Sequence, residues 1–266
     1  MSQHLKLAYI CVILALLAAP LVIVTGVSLN AGQSLRFPPD GVSLRWYLAL
    51  FREQEWLVPM RNSLIIAACA SALAVLIAAP LALYAWERTG WLAKLLTGMG
   101  MAPFALPPVI SALGFMIFWM TVGGYGQIWA TIVSHGVFLV TLPLVTISLG
   151  LKAMDRALIE AARTMGADRR TVMRTLILPL LVPYVVSGYA FAFVLSLNEY
   201  IIAYMVAGFT VETLPVKIFN ALRYGYTPIL GVVSVLFAGF AALVFGLIGR
   251  FGNLPRLMGA ERVRDE

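Results

Sequence analysis

Six long apolar runs constrain this chain more than any other feature. The first extends from Leu5 to Leu29 with Lys6 at its start, and the second from Ser63 to Trp86. The others cover Leu96–Val122, Ile128–Leu149, Pro179–Ala207 and Ile229–Phe251. A helix needs about 20 mostly apolar residues to cross a bilayer, and each run can supply them. The surface of a water-soluble domain has too little polar material here: 61% of the 266 residues are apolar and 12% charged, against about 25% charged in an ordinary soluble domain. The expected fold is therefore all-α, a single membrane domain over residues 1–266 with six transmembrane helices. A cleaved signal peptide usually has an apolar core of only about 7–15 residues, so the first run is expected to stay as a helix.

Prolines fall inside several runs: Pro103, Pro107 and Pro108 in the third, Pro143 in the fourth. They imply kinks packed against neighbouring helices. Six spans put both termini on one side, and the basic residues choose the side. Thirteen Lys and Arg share one face: Lys6, Arg88, Lys94, the six from Lys152 to Arg174, and Arg250, Arg256, Arg262 and Arg264. Arg36, Arg45, Arg52, Arg61, Lys217 and Arg223 share the other. The positive-inside rule then places both termini and the 151–178 loop in the cytoplasm. The formal net charge of +7 is read as this topology signal, and no nucleic-acid partner is expected.

The segment Asn30–Asn62 falls on the outer face and carries Phe37, Trp46, Tyr47 and Trp56, read as anchors at the membrane interface. Gly123, Gly124 and Gly126 suit a tight turn between the third and fourth runs. Cys11 and Cys69 both lie in apolar runs, which offers neither a disulfide framework nor a thiolate cluster. His4 and His135 have no acidic cluster beside them, so no metal site is expected.

One polar segment is more than a connector. Leu158, Ala161, Ala162 and Met165 recur at helical spacing and share a shallow apolar face, with Arg156, Glu160 and Arg163 directed elsewhere. Gly166 ends this helix where a positive φ is often needed, and Asp168 can cap a second one through Arg174. Small alanines allow another protein's backbone to come close, and the arginines offer paired contacts to carboxylates. The alternative is an amphipathic helix on the inner membrane surface.

Glu160, Ala161, Ala162, then Gly166, then Leu178 and Pro179 resemble the signature loop of ABC importer permeases. That loop reads Glu-Ala-Ala, three residues, Gly, nine residues, Ile, one residue, Leu-Pro; Leu176 stands here in place of the isoleucine. The run Leu195–Ala207 with Leu214, Pro215 and Tyr224–Pro228 is similar to the polyamine branch of these binding-protein-dependent type I importers. The resemblance implies a bacterial inner-membrane permease whose loop acts as a coupling helix, with Glu160, Ala161, Ala162, Met165, Gly166, Leu178 and Pro179 as the coupling residues. It implies three protein partners: an ATPase dimer that binds ATP and Mg, a sister permease, and an extracytoplasmic solute-binding protein. The chain has no phosphate-binding loop of its own, so hydrolysis is expected in the partner and no cofactor in this chain. Putrescine or spermidine is the implied cargo. Related permeases carry amino-acid derivatives, phosphonates, ferric iron or thiamine.

Glu199 is the one carboxylate well inside an apolar run. A charge there is costly and should face protein or water. With Ser196, Asn198 and Tyr200 beside it, and Trp119 near the end of the third run, it is a candidate for the path of a cationic solute. Trp119, Tyr125, Tyr224 and Tyr226 are read alternatively as interfacial residues, and Glu199 as a structural group paired with Arg223 or a tyrosine. An ion-coupled carrier would suit the same spans but not the signature loop. An intramembrane protease would need a nucleophile with a base, or paired carboxylates, and His135 has no serine motif next to it.

Overall fold

The computed structural model describes residues 3–224 and 228–251. The expectations for Tyr226, Arg256, Arg262 and Arg264 lie outside the described residues, as do the side chains of Tyr224 and Arg250. Thirteen α-helices are present among the described residues: α1 (Gln3–Ser28), α2 (Arg45–Leu50), α3 (Gln54–Glu87), α4 (Trp91–Ala105), α5 (Pro108–Val122), α6 (Ile128–Phe138), α7 (Thr141–Lys152), α8 (Arg156–Thr164), α9 (Arg169–Val172), α10 (Leu178–Asn198), α11 (Ile201–Ala207), α12 (Leu214–Tyr224) and α13 (Ile229–Phe251). A π-helical turn, Met173–Ile177, joins α9 to α10. By length and composition four helices can cross a bilayer, and six if each of two bent pairs counts as one span.

The runs are interrupted at the prolines in one case and away from them in others. The third begins at Trp91 and is broken outright, α4 and α5 meeting at 105°. Leu106 and Pro107 are extended, with ψ of 145° and 133°, because a residue followed by proline is pushed out of the helical region. The fourth bends by 41° between α6 and α7, ahead of Pro143 rather than at it. Pro143 cannot donate to the carbonyl of Leu139, which instead accepts from Leu142 N–H at 3.2 Å. The fifth does not begin at Pro179. Helix runs on from Arg169, and the wide π turn makes room for a ring that would otherwise strike the carbonyl four residues earlier. The same run breaks again after Asn198, ahead of α11. Helix α12 was not expected: Pro215 at its first turn is a start signal masked by the short apolar stretch around it.

The chain divides into two compact units, residues 1–59 with 217–242 and residues 60–216 with 243–266. In the first, α1 leaves nearly every side chain from Gln3 to Ile23 exposed and apolar. The segment after it is knotted around Asn30, which is fully buried. Its Oδ1 accepts from Gly32 N–H at 3.0 Å and Asp40 N–H at 3.2 Å. Its carbonyl accepts the Trp46 indole N–H at 2.9 Å. Trp56 corrects the reading of that segment as surface anchors: it is only 3% exposed, with the Lys217 ammonium 5.6 Å from its ring centre. Lys217 also pairs with Glu55, so the indole packs under an ion pair.

The second unit is built on a face of small residues. Ala67, Ala70, Ala74, Ala78 and Ala82 of α3 are all buried, and their spacing keeps them on one side of the helix. Ala74, Ala78 and Ala82 pack with Leu144, Ile147 and Leu151 of α7 and Leu181 of α10. Helices α7 and α10 lie close where Gly188 faces Pro143: a Cβ on Gly188 would be 2.6 Å from the Pro143 Cα. A second cluster joins Ala112 and Trp119 of α5, Ala130 and Phe138 of α6, Ala192 of α10, and Ile202 and Val206 of α11. Gly123, at φ 80°, ends α5 in the left-handed conformation that glycine adopts without strain.

Candidate functional site

The 151–178 loop is a pair of short helices set into the second unit. Asp155 caps α8 by accepting from Ala157 N–H at 2.8 Å. At the other end Gly166 has φ 89°. Gly166 N–H donates to Arg163 O and Ala167 N–H to Ala162 O, both at 3.0 Å, which together satisfy the last carbonyls of the helix. Asp168 then caps α9 through Thr171 N–H at 3.0 Å. The Thr171 side chain and its backbone N–H hold the Asp168 carboxyl below its ordinary pKa. Glu87, the last residue of α3, pairs with Arg169; an anion at a helix C-terminus is poorly placed unless a cation meets it.

The apolar residues of α8 divide between two faces. Ile159 is 7% exposed and enters the cluster of α3, α7 and α10, with Ala162 partly buried against the same cluster. Leu158, Ala161 and Met165 point the other way, Met165 being 81% exposed. Of the four residues expected on one apolar face, Leu158, Ala161 and Met165 are exposed and Ala162 turns partly inward. Glu160 and Arg163 are exposed beside it. Leu178 and Pro179 are exposed at the start of α10, while Ile177, the last residue of the π turn, and Leu181 of α10 face inward. Ile159 had no part in the sequence reading; its spacing to Ala162 is the signal for a second, inward face.

The other site is the break between α10 and α11. Glu199 follows the last residue of α10, and its carboxylate turns onto the start of α11. Oε1 accepts from Ile201 N–H at 3.0 Å. Oε2 accepts from Ile202 N–H at 2.9 Å and Ala203 N–H at 3.1 Å. The side chain is 9% exposed. An anion at the positive end of a short helix, within a span, is a stable way to hold such a charge.

His135 of α6 completes this arrangement. It is fully buried, its Nδ1 2.8 Å from Ser196 Oγ and its Nε2 3.4 Å from Glu199 Oε2. The second distance is long for a hydrogen bond. Where the serine hydroxyl donates to Nδ1, the Nε2 proton points at the carboxylate. The sequence set His135 aside because its partners are 61 or more residues away. No serine motif is read beside it, and the serine that meets it, Ser196, comes from another span. With Ser196 only 5% exposed and His135 not at all, the trio forms a buried network.

The remaining expected path residues are dispersed. Asn198 is exposed and donates to Val194 O at 2.7 Å. Tyr200 is partly buried and stacks on Tyr204. Trp119 does not line an open path: it is 6% exposed, and its indole N–H donates to Ser134 Oγ at 2.7 Å. The contacts of Glu199 described here are with His135 and three backbone N–H groups.

The family described as binding-protein-dependent transport system inner membrane component matches residues 70–253. The spermidine/putrescine transport system permease protein PotC of Haemophilus influenzae is 30% identical over 234 residues, covering 87% of this chain and 90% of that one. The putrescine transport system permease protein PotI of Escherichia coli K12 is 31% identical over 239 residues, 85% of this chain and 82% of its own length. Among solved structures, a bacterial ABC transporter that imports the polysaccharide alginate superposes with a TM-score of 0.72 over 94% of this chain and 98% of that chain, at 11% identity. A chain of the MetNI methionine ABC transporter in an inward-facing conformation gives 0.64 over 83% of this chain and 100% of that one, at 19% identity.

Proposed function

This chain belongs to the family of binding-protein-dependent transport system inner membrane components, and from that premise we propose that it is the permease subunit that carries a polyamine, putrescine or spermidine, into the cell. Its fold is that of type I ABC importer permeases, an all-helical multi-pass membrane protein. The observation that carries the transport reading is the α8 loop. Its signature residues stand on a capped helix with Leu158, Ala161 and Met165 exposed and Ile159 locked into the core. A displaced outer face then has a rigid route into α3, α7 and α10.

ATP hydrolysis belongs to an ATPase dimer docked on that face, which binds the ATP and Mg. Closure of the dimer around ATP pushes the loops, and the permease state that the closed dimer prefers is favoured only by the difference in binding between the two states. A sister permease completes the pathway, and an extracytoplasmic binding protein delivers the solute. Both termini and the loop face the cytoplasm, an orientation supported by the thirteen basic residues assigned to that side against six. The polyamine cargo is supported by the named activity of relatives alike over most of the chain and by Glu199, an acid inside the fifth span, as a counter-charge for an ammonium group.

The test is uptake of labelled putrescine and spermidine by vesicles containing this chain, its ATPase and its sister permease, with the binding protein supplied outside. ATP-dependent uptake that unlabelled polyamine suppresses and neutral solutes do not supports the proposal. Uptake driven by an ion gradient without the ATPase would overturn the mechanism, and selective uptake of a neutral or anionic solute would overturn the cargo.

A further inference from the structure

The α8 loop feeds into the fifth span, and that span is not continuous. Ile159 of α8 packs in one cluster with Ile177 of the π turn and Leu181 of α10, so a displacement of the loop enters α10. Helix α10 ends at Asn198 and α11 begins at Ile201. The N–H groups of Ile201, Ile202 and Ala203, which would continue the helical ladder into α10, donate to the Glu199 carboxylate instead. The rigid element that would carry the displacement onward is cut there. Beyond the cut, α11 is fastened to the turn between α5 and α6. Gly126 N–H donates to Val206 O at 3.0 Å, and the Thr210 hydroxyl donates to Gly126 O. Ile202 and Val206 pack with Trp119 of α5 and Ala130 of α6. By its contacts α11 belongs with α5 and α6, while α10 lies against α7 at Gly188 and Pro143.

His135 reaches across the cut with one ring nitrogen on each side of it. Nδ1 is 2.8 Å from the hydroxyl of Ser196, in the last turn of α10. Nε2 is 3.4 Å from Oε2 of Glu199, the oxygen that accepts from the first turn of α11. Among the described residues no closer partner meets Nε2. The residue stands in the last turn of α6, and its carbonyl accepts from Leu139 N–H at 2.9 Å, at the bend into α7. The ring is fully buried, and in such surroundings polar contacts are electrostatically stronger than in water. Support for the α11 cap alone would call for a contact with Glu199 only. The second contact, to Ser196 on the far side of the break, ties α10 to the same ring.

We infer that His135 is a positioning residue for transport: it splices α10 to α11 across the break at Glu199, so that both halves of the fifth span, and the α5–α6 pair fastened to α11, follow the coupling loop together. The inference rests on the ATP-driven transport proposed above and is independent of which solute is carried. Without the splice, a push on α10 meets α11 only through the three residues of the break, and the ATPase turns over without moving the outer half of the span.

The transporter is reconstituted in vesicles with its ATPase, its sister permease and polyamine-loaded binding protein, and ATP hydrolysis and polyamine uptake are measured on the same sample. Ser196→Ala frees the ring from α10, and His135→Ala removes the splice. Both should keep hydrolysis within about twofold of wild type and raise the ATP hydrolysed per polyamine moved by about fivefold or more. His135→Gln, which can accept from Ser196 and donate to Glu199, should restore most of the ratio. Where His135→Ala does not fold, Ser196→Ala and His135→Gln carry the test. Spin labels at Val186 of α10 and Phe209 beyond α11, both exposed, read the join directly once Cys11 and Cys69 are replaced by alanine. Wild type should give one narrow distance with and without ATP, and Ser196→Ala should broaden it. Two results overturn the splice alone. One is an ATP-per-polyamine ratio unchanged in Ser196→Ala and His135→Ala. The other is a wild-type distance that shifts between nucleotide states by about 5 Å, one helical turn, which would make the break a hinge. A wild-type transporter with no ATP-driven uptake overturns the transport reading on which the splice rests.

Discussion

His135 Nε2 lies 3.4 Å from Glu199 Oε2, so a fully buried imidazole on α6 backs the carboxylate that caps α11. The same ring holds Ser196 at its other nitrogen. His135→Ala would leave the Ser196 hydroxyl and one side of the carboxylate buried without partners, at about 2–4 kcal/mol. Thermal unfolding of the purified complex should show the loss. His135→Gln, which can both donate and accept, should recover part of it; an alanine variant as stable as wild type would show the network to be dispensable.

Glu199 itself has two separable properties, charge and capping. Glu199→Ala strips the acceptor from three N–H groups and should cost about 1–2 kcal/mol. Glu199→Gln keeps one carbonyl oxygen for α11 and removes the charge, so abundance should stay near that of wild type. If the charge serves a cationic solute, the glutamine variant should lose about tenfold or more in polyamine uptake. Uptake at the wild-type rate would assign the carboxylate to capping alone.

The same glycine-to-alanine change should have opposite signs at two places. A Cβ at Gly188 would come within 2.6 Å of the Pro143 backbone and 2.4 Å of Thr146 Oγ1, and the backbone cannot move aside cheaply. Gly188→Ala should destabilise by about 1–3 kcal/mol. Gly114, inside α5, has nothing within 4 Å of a built Cβ; alanine there should be neutral or stabilise by about 0.5–1 kcal/mol. Unfolding midpoints of the two variants that shift the same way would refute the close approach of α7 and α10.

How far this could be read from sequence depends on the range of the interactions involved. Apolar length gave the spans, and helical spacing with Gly166 and Asp168 gave the bent loop, because these are local properties. Proline positions predicted that helices break, and Pro107 marks the break between α4 and α5; Pro143 acts a turn earlier, at Leu139, and Pro179 follows a π turn in a helix that already runs from Arg169. The partners of His135 were illegible, since they lie on another span and no local pattern links them. Trp56 and Trp119 look like interfacial residues in a linear reading, yet both are buried by neighbours distant in sequence. Burial also divides Ala162 from Ala161, adjacent letters of one motif.

That division gives the coupling loop its sharpest test. Ile159 is 7% exposed and packs with Val172, Leu151 and the alanines of α3, so Ile159→Ala should cost about 2–4 kcal/mol and lower the unfolding temperature of the chain. Met165, 81% exposed, contributes little to that core. Met165→Glu should leave unfolding unchanged while placing a charge in the surface proposed to meet the ATPase, weakening their association in detergent by about tenfold or more. Leu158→Glu, on the same outward side, should do likewise. The opposite pattern, Met165→Glu unfolding the chain while Ile159→Ala only releases the ATPase, would mean that α8 sits with its faces reversed. Loss of transport in Met165→Glu with the ATPase still bound would place the defect after docking, in the transmission from α8 to α3 and α10.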